Sequence, residues 1–107
     1  MNTEIMTISS QRYLNDEIVE KKLAEGDFVV FVSPVFACDD KSLRVVMDGH
    51  HSFAAARMAG VEPTYVEHDA SDNCAIAVLQ RGDIADFLEM CDYGDEYYDI
   101  NTGRDVW

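Results

Sequence analysis

The sequence predicts an α/β (α+β) protein with a small mixed sheet. Three observations predict it. Apolar, β-branched runs at Phe28–Ala37, Leu43–Met47 and Thr64–Glu67 have the length and composition of strands. Segments with helical spacing lie before, between and after them, and two of these segments end on Gly26 and Gly60. The stretch from Leu43 to Glu67 reads strand, tight turn, helix, strand. That order predicts parallel pairing of its two strands across a helical crossover.

Each element has a local cause. Ile5 to Ile8 alternates weakly and reads as a short first strand. Asn15 or Asp16 offers a helix N-cap before Ile18, Val19 and Leu23, which with Leu14 mark one helical face. Gly26 stands where a left-handed residue closes that helix. Phe28 to Ala37 reads as one strand whose second half, after Pro34, lies at an edge or a bulge. Asp39 to Ser42 is a turn that folds this strand onto Leu43–Met47 as a hairpin. Asp48-Gly49 stops the latter strand, and His50 to Ala59 is an Ala-rich helix with Gly60 as its C-cap. Past Asp69, Ser71 or Asp72 caps a helix over residues 75–79. Ile84, Phe87, Leu88 and Cys91 give a firmer helical face over 83–91. Tyr97 to Trp107 reads as a small hairpin about Asn101-Thr102-Gly103.

The 107 residues fit one domain, 1–107, with an acidic, aromatic-rich C-terminal extension at about 82–107. No repeat, low-complexity run or linker is visible. Apolar runs such as Phe28–Val32 are far short of a membrane span, and Met1 to Met6 has no signal-peptide pattern. A cytoplasmic protein without a membrane partner is expected. Cys38, Cys74 and Cys91 are odd in number and widely spaced, so no Cys-x-x-Cys zinc or redox motif exists. Cys74 and Cys91 fall at apolar helical positions and read as small core residues.

Eight basic residues face 21 acidic ones, a net charge of −13. Such a surface repels phosphate backbones, so direct nucleic-acid binding through a basic stripe is unexpected. From Gly82 onward eight acids face Arg104 alone, a net of −7, with Tyr93, Tyr97, Tyr98 and Trp107 interleaved. One reading is that the aromatics pack on the core while the acids face water. The other is that this face meets a basic protein.

The candidate site is Asp48-Gly49-His50-His51-Ser52. The first N–H groups of a helix have no intrahelical acceptor and carry partial positive charge, so a phosphate is their natural guest. Gly49 lets backbone approach a ligand, and His50 and His51 offer ring donors close to neutral pH. Ser52 can donate one hydrogen bond or cap the helix. A divalent metal among Asp48, His50, His51 and Asp69 is a weaker alternative: Asp48 as a cap and Asp69 as a solvated loop acid are the plainer readings, and no metal site is assigned. His68 reads as a surface residue. Glu17 and Glu20 read as solvent-facing rather than as a general base.

The stretch Val45-Val46-Met47-Asp48-Gly49-His50-His51-Ser52 with its Ala-rich helix and Gly60 resembles the core motif of the ParB/sulfiredoxin superfamily. The resemblance spans about Ile5 to His68 and is nearest to the Asp-Gly-His-His-Arg branch, which includes free serine kinases. It implies a stand-alone domain that binds a nucleotide or other phosphate ligand at Gly49–Ser52, with Mg²⁺ as the accompanying ion and His50 and His51 as catalytic candidates. Two departures bear on activity. Ser52 stands where the family carries Arg, which removes a fixed charge and a bidentate donor and leaves phosphoryl transfer or hydrolysis weak or lost. His50 stands where sulfiredoxins carry their Cys, so sulfinic-acid reduction does not carry over. Nor is there length for the DNA-binding and dimerising parts of ParB partition proteins. Whether the chain is an enzyme stays open. The alternative function is a non-enzymatic acidic interaction protein, DNA-mimic-like or of the phage- or plasmid-inhibitor kind.

Overall fold

A computed structural model describes residues 4–107. The reading of Met1 to Met6 as free of a leader lies partly outside them. The elements run β1 (Ile5–Ser9), α1 (Asp16–Glu25), β2 (Val29–Val32), β3 (Phe36–Cys38), β4 (Lys41–Asp48), α2 (His50–Ala59), β5 (Thr64–Glu67), α3 (Cys74–Gln80), α4 (Ile84–Met90) and β6 (Tyr98–Asp99). The mixed sheet has the order β5-β2-β4-β1-β6, with β3 pairing the first half of β4. The α/β class expected from the sequence is the class observed.

Local chemistry sets the boundaries. The Asn15 side chain accepts from the amides of Glu17 and Ile18, and Gly26 closes α1 at φ +68°. Asn73, not Ser71 or Asp72, caps α3 by accepting from Ala75 N–H at 2.9 Å. Asp39 and Asp40 both take positive φ, 51° and 62°, and so make the tight β3–β4 hairpin turn.

The single strand expected over 28–37 is two strands, because Pro34 has no N–H to give the ladder. Ser33 bridges the gap: its amide donates to Val45 O at 2.8 Å and its hydroxyl accepts from Val45 N–H at 3.0 Å. The expected pairing of β4 with β5 is also corrected. Both edges of β4 are occupied, by β1 on one side and by β2 and β3 on the other. The chain leaving α2 therefore adds β5 to the outer edge of β2, in parallel, from Val29↔Thr64 to Val32↔Glu67. The parallel crossovers link β1 to β4 and β2 to β5.

The pleat of β4 divides the core. Leu43, Val45 and Met47 join Ile8 and Phe36 on one face, where α3 and α4 cover them with Ile76, Leu79 and Phe87. Val46 joins Val30, Val32 and Ile100 on the other face, under Phe53 of α2. There α1 packs on α2. Val19 is the buried residue of α1, while Ile18 of the expected face is exposed. Cys91 is buried as read, and its thiol is pushed up to about 11 by desolvation. Cys74 is corrected: it is exposed at the first turn of α3. No helix among the described residues is long and apolar enough to cross a membrane.

The segment from residue 82 is built into the fold. Phe87, Cys91 and Val106 complete one core, and Ile100 the other. β6 pairs antiparallel with β1, and Tyr98 bridges to Asp105 to close the expected small hairpin.

Candidate functional site

The turn between β4 and α2 is held from beneath. Gly49 sits at φ +97°, a conformation that L side chains rarely adopt. A Cβ there would stand 2.7 Å from Val29 O and 3.0 Å from Val30 Cα. Glycine is thus required by the backbone of β2 passing under the turn. The close approach expected there for a ligand is made by β2. The Asp48 carboxylate folds back to accept from Gly49 N–H at 2.8 Å, and Phe53 N–H donates to Gly49 O to begin the helix.

His50 and His51 reach back to the last residue of β1 and to the N-cap of α1. The His51 ring accepts at Nε2 from the amide of Asn15, 3.1 Å away. That atom must then be unprotonated, which leaves the ring proton on Nδ1. His50 Nε2 lies 2.6 Å from the hydroxyl of the buried Ser9. The same hydroxyl accepts from Gln11 N–H, so its own proton is available to His50. Tyr93 meets the His50 ring edge-on. Desolvation is the main cause that drives the His50 pKa from 6.5 down to about 4; the Asp48 carboxylate works against it and His51 with it. His50 is therefore neutral near pH 7.

Ser52 is buried, and its hydroxyl donates to Asp27 Oδ1 at 3.3 Å. It does not cap the helix. Asp27 also pairs with Lys22 at 2.9 Å. The hydrogen bond from Lys22, then the one from Val29 N–H, hold the Asp27 carboxyl below its ordinary range, and Asp27 in turn raises Lys22. Lys22, Asp27, Asp48, Gly49, His51 and Ser52 thus line a cleft of about 110 Å³ at the start of α2. The amides of His50, His51 and Ser52 find no acceptor among the described residues.

Asp69 does not join this group. Its carboxylate accepts from Ser71 and Asp72 in its own turn, which lowers its pKa. Among the described residues no three His, Cys, Asp or Glu side chains converge as metal ligands do. His68 is half-buried, stacked on Phe31 at 4.5 Å with Nδ1 enclosed and unbonded, and so is not the surface residue expected. Lys22 and Asp27 escape sequence reasoning because the pair crosses the α1–β2 turn and meets Ser52 only in three dimensions.

The chain is thus a mixed α/β protein whose α2 N-terminus opens on a small charged cleft. Comparison with protein families, curated proteins and solved structures finds no match to it.

Proposed function

We propose that the chain binds a phosphate-bearing ligand, of the nucleotide class and together with Mg²⁺, in the cleft at the start of α2. The observation that carries the reading is the run of unaccepted amides at His50, His51 and Ser52, the last two belonging to residues that line the cleft with Lys22. Aligned N–H groups at a helix start attract an anion through both hydrogen bonds and the dipole. The resemblance of Val45–Gly60 to ParB/sulfiredoxin-like domains supports the same guest.

Asp27 and Asp48 against Lys22 leave the cleft net negative. A bare polyphosphate meets repulsion there, whereas a magnesium complex brings its own cation. Binding, rather than phosphoryl transfer, is the activity proposed. Both imidazoles engage Nε2 with the segment before α1, and no Arg stands at position 52.

Titration calorimetry with ATP, CTP and ADP, each with and without Mg²⁺, tests the reading. Saturable heat with Mg²⁺, reduced in Lys22→Gln and His51→Ala, is expected. No heat with any nucleotide overturns it. Lys22 is partly exposed, so its variant tests the site without threatening the fold.

A second reading has its own observation. Tyr93 and Trp107 stay more than half exposed within the acidic region. Aromatics ringed by acids suit a basic protein surface. Capture of basic proteins from extract, lost at high salt, is the expected result; their absence at low salt refutes it.

A further inference from the structure

A second cleft, of about 190 Å³, lies on the other side of α2 and shares no lining residue with the cleft of Lys22 and Ser52; His50 lines this one. Its floor is apolar, formed by Val46 of β4 and by Ile100, the residue that follows β6. Phe53 and Tyr98 contribute aromatic surface to its lining. The polar groups along it are largely engaged already: Tyr98 donates its hydroxyl proton to Gln11 O, and His50 faces Ser9. An apolar guest therefore loses few hydrogen bonds on entering.

Arg57 is the exception. It lines the same cleft, and its guanidinium donates to two carbonyls, Ile100 O at 2.9 Å and Asn101 O at 3.1 Å. Neither partner carries charge. In a chain with 21 acidic residues, no carboxylate lies within ion-pair distance of Arg57 among the described residues. A guanidinium has five donors, so donors remain for a further acceptor. The carbonyls of the β6 turn hold this cation beside an apolar, aromatic-lined cavity.

We propose that this cleft binds a small aromatic anion, with the ring over Val46 and Ile100 and the carboxylate on Arg57. The cavity is smaller than the roughly 300–1,000 Å³ pockets that enclose drug-sized ligands, which favours a single ring system over a whole nucleotide. The site is independent of the phosphate reading, because Arg57 and Phe53 do not line the cleft of Lys22 and Ser52.

The test is an amide-resolved NMR titration of the full chain with benzoate, with benzyl alcohol as the neutral ring of similar shape and acetate as the anion without a ring. Benzoate is expected to give saturable shifts at Phe53, Ala54, Ile100 and Gly103. Benzyl alcohol should bind about tenfold more weakly or worse, since a charge-assisted bond to Arg57 is lost. Acetate should shift none of these amides. Ala54→Phe, which fills the cleft, should abolish the benzoate shifts, and Arg57→Gln should bring benzoate down to the level of benzyl alcohol. The wild-type comparison decides the matter even where a variant fails to fold. The proposal is overturned by absent benzoate shifts at these amides up to about 10 mM. It is equally overturned by equal binding of the neutral ring, or by undiminished binding to folded Ala54→Phe.

Discussion

Acid should weaken the fold through His50, across the pH range where an ordinary histidine charges and the folded His50 does not. The unfolded chain takes this proton near 6.5, and the folded chain only near 4. Between those values the unfolded state binds more protons, so stability falls as pH falls. Above the upper value the ring is neutral in both states and costs nothing; below the lower value the loss is complete. At about 1.4 kcal/mol per tenfold in proton affinity, the ceiling of that loss is about 3 kcal/mol. For a small domain this is a large part of net stability. The perturbation to compare is His50→Gln, which removes the titration and keeps a polar side chain facing Ser9. Carboxylates titrate in both proteins, so the difference between their urea unfolding free energies isolates the imidazole. Measured from about pH 7.5 to about pH 4.5 at moderate salt, the wild type should lose about 2–3 kcal/mol relative to the variant. A flat difference, or a His50 ring proton that titrates by NMR near its ordinary midpoint, refutes the reasoning.

Three other perturbations have definite expected outcomes. Gly49→Ala combines a strained positive φ with a Cβ 2.7 Å from Val29 O, and should cost about 2–5 kcal/mol in urea unfolding. Phe87→Ala empties a fully buried site that meets Phe36 edge-on and should cost about 3–5 kcal/mol, whereas Met90→Ala, on the exposed side of the same helix, should stay within about 0.5 kcal/mol by the same assay. Asp40→Gly relieves a positive φ in the β3–β4 turn and should raise the unfolding free energy by about 0.5–1 kcal/mol; a decrease would show that the Asp40 side chain supports the turn.

The helices are legible in the sequence because their ends are chemical. Asn15, Gly26 and Gly60 act on backbone groups a few residues away, and their effects survive whatever the tertiary structure does. Strand order is not legible in this way. β5 lies beside β2 because β4 has no edge left, a fact about occupancy of the whole sheet rather than about residues 64–67. The splitting of the strand at Pro34 is half legible: the missing N–H is in the sequence, but the compensating bond from Val45 to Ser33 is not. The candidate site divides along the same line. That a helix starts after Gly49 can be read directly. What the glycine accommodates, and which atoms His50 and His51 engage, depend on β2 and on residues 9–15, distant in sequence and adjacent in space.

The concentration of acids after residue 82 has a partly local cause. Asp92 accepts from Gly94 N–H, Asp95 from Arg12 N–H and Asp99 from Asn101 N–H. Asp83 precedes α4 and pairs with Arg81, while Asp105 takes the Arg12 guanidinium, which lies 3.9 Å over the Tyr98 ring. Carboxylates are good acceptors for turn amides, and this segment must turn repeatedly to bring Phe87, Ile100 and Val106 onto two faces of the sheet. Much of its charge therefore serves to shape the chain. Asp86, Glu89 and Glu96 take none of these roles among the described residues. If the acidic face recognises a basic partner, these three are where charge can be removed at least cost to the fold, Asp86 giving up only its place in the first turn of α4. Replacing them together with Asn and Gln separates recognition from stability, because turn-forming acids and partner-facing acids then respond differently to the same loss of charge.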